Sequence, residues 1–232
     1  MDYSQSKNSA ALTGSIGSRP LAAWEIASVI SSILIAEWIG SIAIGWTRVS
    51  VALPIVLAFV LAISSHRLRA ETLRDLGFRF DNFLRAGLLL LGPMFVLALT
   101  CVAVTWGMGQ RIDLFRWHAN RPLLVQLFLG FAWGFIQQYM LQSFVNRRMQ
   151  LILPNGMMSV VLVGMIFGVL HLPNVWLTVA TFVGGTIWAA VYQRAPNIFA
   201  LAISHSITTW ILVSTLPPSI LHELRIGAKY FG

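Results

Sequence analysis

Long apolar runs separated by short polar connections occupy most of this chain. Runs of spanning length, roughly 17 to 25 residues, fall at about 22–46, 49–65, 86–106, 122–146, 157–172, 174–191 and 197–215. The pattern predicts an all-α polytopic membrane protein with about seven transmembrane helices, within a range of six to eight, the second and fifth being short. Pro173 divides the fifth run from the sixth and predicts a tight helical hairpin there. Pro196 opens the seventh, where a missing N–H costs little. The polar, serine-rich residues 1–20 read as a mobile tail, because they lack the layout of a secretory signal. Residues 66–85, HRLRAETLRDLGFRFDNFLR, place Leu68, Leu73, Leu76 and Phe80 among arginines at helical spacing. That pattern suggests an interfacial helix, with a solvated loop as the alternative.

Composition agrees with a bilayer as solvent. Apolar residues make up 57% of the chain and charged residues 10%, against roughly a quarter charged in an ordinary soluble domain. Trp24, Trp46, Trp106, Trp117 and Trp176 fall near run ends, where a membrane–water interface belongs. The net charge of +8 is scattered through short connections without an aromatic–arginine patch, so nucleic acid is not an expected partner. With the N-terminus inside, ten Lys and Arg face inward and six outward, out of sixteen in all. This favours a cytoplasmic N-terminus, and an integral protein of a bacterial inner membrane is expected. The one cysteine, Cys101, lies in an apolar run and forms no internal disulfide.

Polar side chains inside apolar runs are expensive and therefore mark function. Three groups stand out: Gln137, Gln138 and Gln142 in the fourth run; Phe167, His171 and Asn174 at the end of the fifth; and Ser204, His205, Thr208 and Thr209 in the seventh. Counted from the membrane side shared by the loops near 147–156 and 192–196, Gln137, His171 and His205 lie roughly 16, 21 and 13 Å deep. Three polar groups at one depth on three helices predict one site. Gly130 with Gly134, and Gly164 with Gly168, precede them at the G-x-x-x-G spacing that lets helices approach closely.

These residues carry a resemblance. QQYMLQ (Gln137–Gln142) aligns with E-E-x-x-x-R, FGVLH (Phe167–His171) matches F-x-x-x-H, and HSITT (His205–Thr209) aligns with H-x-x-x-N. In order, spacing and hosting spans the set resembles the CPBP family (CAAX protease and bacteriocin-processing, Abi-type) of intramembrane proteases, over residues 122–213. The resemblance implies an intramembrane endopeptidase acting on membrane-associated peptides. It implies site residues His171, His205, Gln137, Gln138, Thr209 and Gln142, and a water activated by a glutamate and histidines, or a metal in that role. Membrane lipids and a membrane-embedded or lipidated peptide, as substrate or client, are the implied partners.

The chain departs from the pattern where the chemistry is decided. Both motif glutamates are amides, Gln137 and Gln138, and the arginine is Gln142; no Asp or Glu occurs from residue 114 to 222. An amide is no general base. Removing both signs of charge together avoids an uncompensated buried arginine, and three glutamines are able to satisfy one another. Two sources of a base remain open: a histidine, His171 or His205, or the carboxylate of Glu37, roughly 22 Å into the first span. No cofactor is expected, since a zinc ion would find only His171 and His205 as ligands. The alternative to hydrolysis is a non-catalytic pseudoprotease that binds a membrane peptide or lipid in the same cavity. The expected organisation is a tail at 1–20, N-terminal spans at 21–121 containing the segment 66–85, a core at 122–215 and a C-terminal tail at 216–232.

Overall fold

The structure, a computed structural model, describes residues 3–39, 48–114, 116 and 122–231, with side chains outside 3–17, 48 and 123. Trp46, Trp117 and the side chains of most of the expected N-terminal tail lie outside the described residues.

Backbone polar groups find no water in hydrocarbon, so apolar runs of this length satisfy themselves as helices. The helices are α1 (Tyr3–Leu34, continued by a π turn at Ile35–Ile39), α2 (Arg48–Leu68), α3 (Phe83–Gly107) and α4 (Leu123–Gln138). A π segment at Tyr139–Asn146 leads from α4 into α5 (Arg147–Ile152), followed by α6 (Met157–Val169), α7 (Val175–Arg194), α8 (Ile198–Thr215) and α9 (Pro218–Leu221). No strand occurs among the described residues. Six segments are long and apolar enough to cross a membrane: Ser18–Ile39, Val49–Leu68, Phe83–Gly107, Leu124–Ile152, Val175–Arg194 and Ile198–Thr215. The protein is thus an all-helical polytopic membrane protein. The fifth apolar run forms α6, only 13 residues long, or about 20 Å; it is too short to cross a hydrocarbon core of about 30 Å, and the chain turns back at 170–174. Trp106 and Trp176 are exposed near helix ends and Trp24 near the start of the first span, as interface anchors would be.

α6 packs along α7 as the expected hairpin, α4 along α8, and α1 along α2 and α5. Asn197, immediately after Pro196, caps α8 by accepting from the Ala200 N–H at 3.0 Å, so Pro196 stands outside the helix rather than at its first position.

No helix forms at 69–82. The segment is a run of turns, because its polar groups have closer partners than headgroups: Asp75 accepts from Thr72 N and Oγ1 at 2.9 and 2.6 Å. Of the four apolar residues expected on lipid, Leu76 is buried, while Leu68, Leu73 and Phe80 are exposed; Phe78 packs edge-on against Phe135, Tyr139 and Phe199 in the bundle.

These turns cover a buried ion cluster. Arg148 is fully buried. It donates to both carboxylate oxygens of Glu71 at 2.9 and 2.7 Å, and to Ser65 Oγ at 2.9 Å. Its Nε also lies 3.1 Å from Glu25 of α1. Arg147 donates to Glu71 at 2.9 Å and Arg69 to Glu25 at 3.0 Å. His66 Nδ1 lies 2.6 Å from Glu71. The cluster ties α1, α2, the 69–82 turns and α5 together on one membrane side.

Burial alone would raise the Glu71 carboxyl. Hydrogen bonds from His66 and Arg148, the Arg148 charge and the bond from Arg147 outweigh it and hold the group well below the usual carboxylate range. Stability from this depression is complete above the unfolded-state pKa, about 4.3, and is lost as pH falls from there through the lower native value. Two outcomes are expected from thermal melting in detergent. Arg148→Ala, which removes the fully buried charge shared by Glu71 and Glu25, costs about 3–5 kcal/mol. Glu71→Gln lowers the melting temperature at neutral pH and flattens its decline below about pH 4; an unchanged acid limb would show that this cluster does not govern it.

Candidate active site

His205 sits on α8 where that helix touches α4. Gly134 permits the contact: a Cβ there would lie 3.1 Å from the Ala202 carbonyl oxygen and 3.3 Å from the His205 Cβ. One turn on, the Gln138 amide nitrogen donates to His205 Nδ1 at 3.0 Å. In that orientation the proton of a neutral imidazole rides on Nε2. Trp188 of α7 stacks flat on the ring, centroids 4.6 Å apart and planes within 7°, and its own Nε1–H is satisfied by Ser204 Oγ at 3.1 Å.

His171 stands in the turn after α6, and the F-x-x-x-H spacing has a local cause. The last turn of a helix leaves carbonyls without partners. His171 Nδ1 donates to the Phe167 carbonyl at 2.7 Å, and the His171 ring meets the Phe167 ring edge-on at 4.7 Å. A carbonyl only accepts, so Nδ1 holds the proton and Nε2 the lone pair. The Phe167 ring also meets His205 at 6.1 Å and Trp188 at 6.2 Å, and so stands between the two histidines. α6 reaches this position because Gly164 lies directly against Thr186 and Phe182 of α7.

A cavity of about 170 Å³ opens between the α1–α2 pair and α4–α6. Its wall is mainly aliphatic and aromatic, and its polar members are Glu37, Gln137 and His171. Glu37 lies in the π turn that ends α1, a feature frequent at functional sites. Trp133 and Ile136 of α4 line the cavity and are 58% and 41% exposed on the outer, apolar surface, which leaves its flank facing the hydrocarbon.

The three glutamines do not satisfy one another. Gln137 faces the cavity, Gln138 binds His205, and Gln142 accepts from Asn146 at 2.8 Å. Gln138 Oε1 and Gln142 Nε2 are buried and have no partner among the described residues. Asn146 in turn accepts from Gln150 and Gln193 at 3.2 and 3.1 Å. A polar seam thus descends from His205 along positions 138, 142, 146 and 150. The wider π turn at Tyr139–Asn146 offsets the slow drift of positions four apart around an α-helix and keeps the seam on one face.

Thr209 is half-buried, and no hydrogen bond joins it to this cluster among the described residues; its neighbour Thr208 bonds the Ser204 carbonyl at 2.8 Å. Asn174 has a structural task. It caps α7 by accepting from Leu177 N at 3.2 Å and donates to the Leu221 and Arg225 carbonyls at 2.8 and 3.2 Å. The expected C-terminal tail is therefore a strap: Gly227 N donates to the Leu172 carbonyl at 2.9 Å, and Ile226 lines the cavity. Trp188, Asn146, Gln193 and Ile226 were not foreseen; a tryptophan or isoleucine in an apolar context carries no periodic signal of its site.

No group of three or more His, Cys, Asp or Glu gathers to hold a metal among the described residues. With Phe167 between the histidines, the donor set does not fit a catalytic zinc, which takes three protein ligands.

Residues 117–211 match the family model for type II CAAX prenyl endopeptidase Rce1-like proteins. That model is one of the CPBP family, and its match covers less than half of the chain. No curated protein and no solved structure matches the chain. The CPBP match takes in α4 through most of α8, and with them Gln137, Gln138, His171 and His205. It leaves α1, α2 and the C-terminal strap, which supply the rest of the cavity wall, outside.

The Gln138–His205 bond has a measurable signature. Gln138→Leu leaves His205 Nδ1 buried and unpaired and is expected to cost about 1–3 kcal/mol. His205→Phe in that background is expected to recover much of the loss, since replacing both partners by apolar groups is nearly neutral. Additive losses in a double-mutant cycle, read by melting in detergent, would contradict the coupling.

Proposed function

We propose that the protein is an intramembrane endopeptidase of the CAAX-protease type, which admits a membrane-embedded or lipidated peptide to the cavity between α1–α2 and α4–α6 and adds water across a peptide bond there. The observation that carries this reading is the cavity wall itself: His171, the amide of Gln137 and the carboxyl of Glu37 stand on an otherwise apolar surface with a flank toward hydrocarbon. An apolar wall suits an apolar side chain or acyl group, and a few convergent polar groups orient what they touch. Gln137 has no side-chain hydrogen bond among the described residues, so its N–H is available to a substrate carbonyl as the oxygen gains charge. His171 Nε2 accepts a hydrogen from water and aims its oxygen. His205, held by Gln138 and Trp188, backs Phe167 and acts as a positioning residue. With the arginine-rich side in the cytoplasm, the protein would work in the inner membrane of a bacterium.

A carboxylate-free stretch from 114 to 222 favours a second reading, a non-catalytic binder of the same peptides. Purified protein in liposomes, tested against a panel of membrane-spanning and lipidated peptides, separates the two. Cleavage by the wild type is expected, and His171→Ala should lower kcat/KM by about 100-fold or more. Peptide binding without any cleavage would establish the binder instead.

A further inference from the structure

Hydrolysis needs a proton acceptor, and the wall residue at the motif glutamate's place, Gln137, is an amide. We infer that Glu37 of α1 is the catalytic carboxylate, brought to the cavity from outside the CPBP core; this rests on the endopeptidase reading above.

Among the described residues Glu37 is the one acidic group on the cavity wall, and it shares that wall with Gln137 and His171. Glu25 and Glu71 stand in the arginine cluster, Asp81 beside Arg74 and Arg79, and Glu223 beside Arg225, none of them on this wall. Glu37 is also held from a second direction. The C-terminal strap presses Gly227 against it: a Cβ on Gly227 would lie 2.6 Å from the Glu37 carbonyl oxygen and 2.9 Å from its Cβ, and Gly227 has φ +56°. Only glycine meets both demands at low cost. Lys229 of the same strap interacts electrostatically with Glu37, and Trp38 packs against Phe231 with centroids 6.5 Å apart. Two segments nearly two hundred residues apart thus fix one carboxylate at the end of the cavity.

The step balances as a simple hydrolysis. The Glu37 carboxylate takes a proton from water as the water oxygen bonds to the scissile carbonyl carbon. The carbonyl π pair moves to oxygen, where the Gln137 N–H donates. When the carbonyl reforms, the C–N bond breaks with its electron pair on nitrogen, which takes the proton back from Glu37. An acid and an amine leave, and Glu37 is again a carboxylate. His171 Nε2 holds the second hydrogen of the attacking water.

The test moves the carboxylate across the cavity. Glu37→Gln is expected to lower kcat/KM for a peptide that the wild type cleaves by about 100-fold or more. Adding Gln137→Glu to that variant should restore about tenfold or more of the loss, which a merely structural role of Glu37 would not allow. Glu37→Asp, which keeps the acid but withdraws it by one methylene, should lower kcat with KM little changed, and it serves if the Gln variant fails to melt cooperatively. Wild-type rates in both the Gln and Asp variants, or a Gln variant that folds and is not rescued, would overturn the inference and leave the endopeptidase reading in place. A wild type that cleaves nothing in the panel would overturn both.

Discussion

Arg148 is the point on which the arrangement of this protein depends. A guanidinium with no exposed surface is tolerated only where anions and further acceptors meet it. It finds Glu71 bidentate, Glu25 alongside and Ser65 on α2. Those partners come from three separate parts of the chain, so the requirement to neutralise one charge fixes where α1 and α2 stand relative to α5. α5 continues from α4 through the π segment. The position of α1, and hence the place of Glu37 opposite Gln137, therefore follows from the ion cluster at the other end of the same helix.

Away from that cluster the helices are held by contact, because lipid tails give no hydrophobic drive for helices to associate. Close approach needs small residues, and it occurs where the site is built: Gly134 against His205, Gly164 against Thr186, Gly168 against Phe182. Each polar group brought inward then needs a partner inside the protein. Asn174 and the Gly227 N–H show this at the turn after α6, where irregular backbone at membrane depth is accepted because side chain and strap satisfy it. The short α6 and the folded C-terminus are two halves of one solution.

Much of this was legible in the sequence, for reasons that differ by residue. The spans were readable because apolar length is a direct consequence of bilayer thickness. The Gly134 and Gly164 spacings were informative because a missing Cβ acts locally. The depth count set Gln137, His171 and His205 at one level; Gln137 and His171 share the cavity wall, while His205 pairs with Gln138 instead. The ion cluster was not legible: Arg148 and Glu71 are 77 positions apart, and a charge in a loop does not announce that it is buried. The amphipathic pattern at 66–85 misled for a related reason, since Leu76 and Phe78 are apolar toward the bundle and the same alternation would serve a helix on lipid. Asn174 looked like a member of the site and is a cap. Thr209 fits a motif position, yet its side chain joins nothing in the cluster. Depth was computable from the sequence, but the direction in which a side chain points was not, and for Glu37 that direction was the open question.

The electrostatics of the core connect these points. A carboxylate on α4 beside the seam would lie close to Gln138, Gln142 and Asn146, amides that bond His205 and one another but carry no charge to offset it. A charge there would require a cation, and the motif position that would supply one is Gln142. A neutral seam removes that requirement and leaves α4 to hold the His205 imidazole through a hydrogen bond alone. The acid is then best placed on a different helix, across the cavity, where its own counter-charge does not enter the seam. Lys229 on the strap occupies that relation to Glu37. On the proposal that Glu37 is the acid, a charge-free matched core and a carboxylate on the unmatched first span answer one constraint: in hydrocarbon an ionised group must bring its partner with it.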